Sequence, residues 1–147
     1  MVILRVLLLL IITTATASAE QSVVAEGTCK EIRLGDSLQN AKCDLIYSYF
    51  TNGRVLFQFV FKETLVAFAG AEDSQLNPLI YKLKVDAITI GFAATEPRRY
   101  QAVGGCLIEL RDMKGEYIKQ AQCKASNGME EAEILFVGGK KPVSKLQ

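Results

Sequence analysis

Residues 105–125, GCLIELRDMKGEYIKQAQCKA, decide how the rest of the chain is read. The stretch reads as a β-hairpin. Lys114-Gly115 supplies a two-residue turn in which glycine takes the positive φ that such turns need. With Met113 facing Glu116, counting outward brings Cys106 opposite Cys123. The same count puts that pair on a non-hydrogen-bonded position, where side chains approach closest. A cross-strand disulfide needs that short Cβ separation. Turn residue, register and pair type agree, so the expectation is a stapled hairpin.

The remaining strands follow outward from it. Thr28 to Leu34 alternates, and Gly35-Asp36-Ser37 is a turn cluster. Lys42 to Phe50 is rich in Tyr and Ile. Asn52-Gly53 marks a second hairpin, and Val55, Phe57, Phe59 and Phe61 share one face of the strand after it. Thr64 to Ala69 follows Lys62-Glu63, and Gly70 to Pro78 reads as a polar loop. Leu79, Tyr81, Leu83 and Val85 point one way. Ile88, Ile90 and Phe92 take the other phase, which predicts a bulge near Asp86-Ala87. Ala93 to Arg99 reads as a loop, and Asn127-Gly128 as a turn before a last strand at Glu133 to Val137. Short helices are conceivable only at Ala71–Leu76 or Met129–Glu133. The expected class is all-β: a single antiparallel β-sandwich or partly closed barrel of about eight strands with two local disulfides.

The N-terminus carries an address. Arg5, the apolar run Val6 to Ile12 and the small residues ending Ala17-Ser18-Ala19 predict a secretory signal peptide over 1–19 with cleavage after Ala19. The apolar run is too short to span a bilayer. The domain is then 20–147, with 138–147 expected to fray. Export makes the four cysteines a disulfide-compatible set. Of the possible pairings, Cys29–Cys43 with Cys106–Cys123 is preferred because it is local. The first hairpin is less well specified, since that pairing centres on Asp36 and needs an odd loop. Each half of the chain also holds a cysteine hairpin, an Asn-Gly turn and a strand with Phe57 or Phe136, a weak internal echo.

Composition excludes several chemistries. The chain has 17 Lys+Arg against 16 Asp+Glu and no histidine. Near-zero net charge gives no support for nucleic-acid binding. Without His, a Ser-His or Cys-His nucleophile cannot be built, and the commonest metal ligand is missing. No cofactor or metal is expected, and no catalytic residue is assigned. Glu72-Asp73, Glu109 with Asp112, and Glu130-Glu131 with Glu133 are the carboxylate groupings a glycosidase would need, but they read as solvated faces. Gly104-Gly105 reads as a place where the backbone bends beside the disulfide. Arg98, Arg99 and Tyr100 form the candidate interaction site, a loop able to contact a carboxylate, a phosphate or a partner protein, with Lys82, Lys84, Lys140 and Lys141 as possible neighbours. The aromatics Tyr47, Tyr49, Phe50, Phe57, Phe59 and Phe61 would either fill a core or line a cavity.

Gly27-Thr28-Cys29, Tyr-x-x-Phe-x-Asn-Gly-Arg over Tyr47 to Arg54, Ala67-Phe68-Ala69-Gly70, Tyr-x-Leu-x-Val-Asp over Tyr81 to Asp86, and the Gly105-Cys106 hairpin resemble small exported bacterial β-rich proteins of unassigned function. The resemblance implies a β-rich exported fold and carries over no site residue. The expected function is a non-enzymatic binding or interaction module in the periplasm or outside the cell. Its partner would be an envelope or extracellular protein or a small ligand, without membrane insertion after signal cleavage. A small barrel carrying an apolar ligand is the alternative, and a carboxylate-based hydrolase is less favoured.

Overall fold

Alternation of apolar and polar residues makes strands of nearly the whole chain. The computed structural model describes residues 19–146. The signal peptide expected at 1–19 therefore lies outside the described residues apart from its last position. The strands are β1 (Ala19–Leu34), β2 (Ser37–Phe50), β3 (Val55–Phe61), β4 (Thr64–Gly70), β5 (Glu72–Asn77), β6 (Ile80–Phe92), β7 (Arg98–Leu110), β8 (Ile118–Ser126), β9 (Glu131–Gly138) and β10 (Ser144–Lys145). Every pairing is antiparallel.

The order β1-β2-β3-β4-β6-β7-β8-β9 is an up-and-down meander, and pairing of β9 back onto β1 closes it. Of the two architectures expected, the barrel is the one formed, and it is fully closed with eight strands. β5 continues β4 along the first half of β6, and β10 lies on the start of β1. No helix occurs among the described residues, so neither short helix considered at 71–76 or 129–133 forms. The polar loop expected at 70–78 is instead strand β5, fully exposed. Its polarity reflects an edge position that buries neither face.

The inward-facing residues fill the barrel, as eight strands allow. Phe59 on β3 meets Phe68 on β4 at 5.9 Å between ring centroids and reaches across the interior to Phe136 on β9 at 6.3 Å. All three rings are fully buried. Around them pack Ile32, Leu45, Val66, Leu83, Ile88 and Ile134. Both disulfides, Cys29–Cys43 and Cys106–Cys123, belong to this core.

The cysteine hairpins reach their bridges differently. Cys106 pairs directly with Cys123, with Cα atoms 4.1 Å apart. The turn that was expected to set this register is not the one found. β7 stops at Leu110 and the connection runs over 111–117. There the Asp112 carboxylate accepts from the backbone N–H of Glu116 and of Tyr117, and Gly115 takes φ 72°. A one-residue bulge between Glu109 and Leu110 then restores the register that a two-residue turn would have given. In the first hairpin Leu34 pairs with Ser37 around a two-residue Gly35-Asp36 turn, and a bulge follows before Cys29. Cys29 faces Ala41 while Cys43 faces Gly27, so this bridge runs diagonally at 5.5 Å.

The bulge expected near Asp86-Ala87 is present between Val85 and Ala87, opposite Ala102-Val103. Beside it, a Cβ on Gly104 would lie 1.9 Å from the Lys124 carbonyl oxygen, so the close strand approach requires glycine. The C-terminal segment expected to fray is tied down. Gly139 N–H donates to the Glu26 carbonyl, Val143 N–H to Glu116 and Leu146 N–H to Ser22.

Candidate functional site

The residues singled out on the sequence do not form one surface. Arg98, Arg99 and Tyr100 are not a loop but the first residues of β7, paired with Ile90, Thr89 and Ile88. Successive side chains on a strand point to opposite faces, so Arg99 points away from the face shared by Arg98 and Tyr100. Arg99 lies outward, over an open cleft with Arg54, Asp86, Gln101, Ser126 and Asn127. The Tyr100 ring packs on the core, and its hydroxyl is buried without a hydrogen-bond partner. In the cleft Arg54 makes a bidentate pair with Asp86, at 2.5 and 3.0 Å. That pair holds the Asp86 carboxyl below the usual range, by the Arg54 hydrogen bonds first, with Arg99 adding to it. Lys140 and Lys141 lie on the tail, where Lys141 pairs with Glu26 at 3.1 Å, away from Arg99.

Most of the carboxylates singled out on the sequence have structural partners. Asp112 holds the 111–117 connection, and Glu109 accepts from the Gln120 amide. Glu72 pairs with Lys84, while Glu131 and Glu133 share Lys124. Among the described residues no group of three or more His, Cys, Asp or Glu is placed to hold a metal.

A different site emerges at one end of the barrel. The start of β1, the β5–β6 hairpin, the 111–117 connection and the tail frame an open cavity of about 470 Å³. Its aromatic wall is Tyr47 of β2, Phe57 of β3 and Tyr81 of β6. Tyr47 and Phe57 lie 5.3 Å apart, Phe57 and Tyr81 5.8 Å, and Tyr47 and Tyr81 6.2 Å edge-on. Ile108, Leu110, Ile118 and Val143 add apolar surface, and Gln21, Gln75, Lys114, Glu116 and Lys145 make a polar rim. Phe57 is buried, whereas the two tyrosines are half-buried.

The Tyr81 hydroxyl donates to the Asp73 carboxylate on β5. Burial first, and then this bond to an anion, hold Tyr81 far above the ordinary tyrosine range. Tyr47 is raised as well, by burial and then by the charge of Asp73. Both phenols thus stay neutral donors. Rings with fixed polar tips beside an apolar floor are suited to holding a flat ligand by contact and orienting it by hydrogen bonds.

In the sequence Tyr47 and Phe57 stand out only within a set of six aromatics, and Tyr81 only as a member of the alternating series Leu79, Tyr81, Leu83 and Val85. The set divides in the structure: Phe59 and Phe61 are interior, while Tyr47 and Phe57 line the mouth. The available signal was positional. Tyr81 stands at the beginning of an alternating strand whose later inward members are aliphatic, and polar-tipped aromatics favour such half-wet ends.

No helix of the described residues is long and apolar enough to cross a membrane. Two disulfides fit an extracellular or periplasmic protein. Comparison with protein-family models, with curated proteins and with solved structures finds no match to this chain.

Proposed function

We propose that this protein is a non-enzymatic binding module exported from the cytosol, and that it binds through the barrel mouth. The observation that carries this is the Tyr47–Phe57–Tyr81 cluster, left open to solvent in a cavity of about 470 Å³ at the end of a barrel whose middle is packed solid. The same packing favours a ligand seated at the mouth over an apolar ligand carried inside the barrel. Glu72, Glu109, Glu131 and Glu133 are each paired with a lysine, which supports binding without hydrolysis. The export signal proposed over 1–19 belongs to the same reading, and N-terminal sequencing of secreted protein should begin at Glu20.

Phenylacetate and phenylacetamide are suitable probes. Titrated into labelled protein, they should shift the resonances of Tyr47, Tyr81 and Ile108, and Tyr81→Ala should abolish the response while the fold is retained. Shifts confined to the Arg99–Gln101 cleft, or no shifts at millimolar probe, would reject the mouth as the site.

A further inference from the structure

The mouth carries two stretches of strand edge, and the molecule treats them differently. β9 ends its pairing with β1 at Gly27, so the first part of β1 would be an open edge. The chain covers it with its own tail. β10 pairs with Val23 and Val24, Val143 lines the cavity, and Lys141 pairs with Glu26. This is strand addition within one molecule: an extended segment, Lys140-Lys141-Pro142-Val143-Ser144-Lys145-Leu146, that is basic and sparsely apolar. β5 is the second edge. Among the described residues it pairs with β6 alone, all six of its residues are exposed, and no other backbone hydrogen bond reaches it.

β5 also belongs to the mouth. Gln75 lines the cavity and Asp73 accepts from Tyr81, so the inner face of β5 continues into the aromatic wall. Its outer face carries Glu72, which makes an exposed ion pair to Lys84 at 3.5 Å. An exchangeable pair of that kind contributes little and gives way readily.

We infer that the free edge of β5 binds an extended peptide segment of a partner, with basic residues on its outer side beside Glu72 and small apolar side chains turned into the mouth. The inference rests on the mouth being a binding site. Backbone hydrogen bonds along β5 give the register, and the cavity selects the inward side chains. Charge on a short edge strand also serves to discourage pairing with further strands. Here the charge has one sign, and the edge adjoins a cavity. The tail on β1 is the precedent within this molecule for an extended segment laid along a strand edge with a small apolar side chain, Val143, in the cavity.

The test uses the whole protein and three capped hexapeptides: Lys-Val-Lys-Val-Lys-Val, its fully N-methylated analogue, and Glu-Val-Glu-Val-Glu-Val. Amide hydrogen exchange and chemical shifts locate the bound peptide. Expected are binding of the first peptide alone, new protection of alternate amides within 72–77, and weakening by roughly fivefold in Glu72→Lys, the size of an exposed ion-pair effect. Equal binding of the N-methylated analogue would overturn the edge and leave a mouth that takes side chains only. New protection at 19–26 with release of the tail would move the site to β1. No binding of any peptide would remove the β5 proposal, while the phenylacetate titration reports separately on the mouth.

Discussion

The middle of the barrel and its mouth are lined by the same kind of residue and reach opposite states. At the middle, Phe59, Phe68 and Phe136 come from three strands and meet in the interior with no exposure, Phe59 edge-on to Phe68 and tilted against Phe136. At the mouth, Tyr47, Phe57 and Tyr81 make contacts just as close, yet two of the three stay half in water. The difference lies in the hydroxyls and in what surrounds the rings. Phenylalanine gains only by burial, whereas a buried tyrosine must find a partner for its O–H. Tyr81 finds Asp73 on an exposed strand. A packed middle holds the fold together, and an open aromatic end is free to bind.

Substitutions should separate the two regions. Phe59→Ala removes a ring that bridges two others and should lower stability by about 3–5 kcal/mol in urea unfolding. Tyr47→Ala should cost roughly 1–2 kcal/mol. Equal losses would mean that the mouth is core and would end its claim as a site.

Removing Cys106–Cys123 by a double Ala substitution should destabilise by about 3 kcal/mol by loop-closure entropy, and removing Cys29–Cys43 by nearly the same, because the sequence separations are 17 and 14. A large inequality would show that the direct and the diagonal bridge do different work. Non-reducing mass mapping checks the pairing itself, and a Cys29–Cys106 peptide would contradict it.

The mouth also predicts an alkaline effect. The folded state holds Tyr47 and Tyr81 above their unfolded value of 10.0, so folding favours the protonated phenols. That contribution is complete below about pH 10 and is lost as pH rises beyond it, when the unfolded chain ionises first. Stability measured above about pH 10 should therefore fall less steeply in Tyr81→Phe than in the natural chain. An unchanged slope would mean that Tyr81 is hydrated.

The smallest effect belongs to the outer cleft. Asp86 is held below 3.8, so its pair with Arg54 contributes above that value and is lost as pH falls through the lowered one. Both groups are partly exposed, and Asp86→Asn should cost less than about 1 kcal/mol at neutral pH. Arg98→Ala with Arg99→Ala should leave phenylacetate binding at the mouth unchanged.

Local rules were legible at many points. Asn52-Gly53 and Asn127-Gly128 both turn the chain, with Gly53 at φ 81° and Gly128 at φ 90°. The shift of phase after Val85 is a bulge. The register of Cys106 against Cys123 emerged correctly although its turn did not, because a longer connection and a compensating bulge arrive at the same pairing. The loop expected at Arg98-Arg99-Tyr100 is instead the start of β7. Adjacency in sequence means opposite faces once the segment is a strand.

By itself, the sequence determined the all-β class, the cysteine set and much of the strand pattern, since periodicity and turn chemistry are properties of near neighbours. The tertiary structure alone decided that β9 returns to β1, that the tail lies across the mouth, and that Tyr47, Phe57 and Tyr81 converge there. Those outcomes depend on strand length, bulges and stagger summed around a closed sheet, and no local window contains that sum.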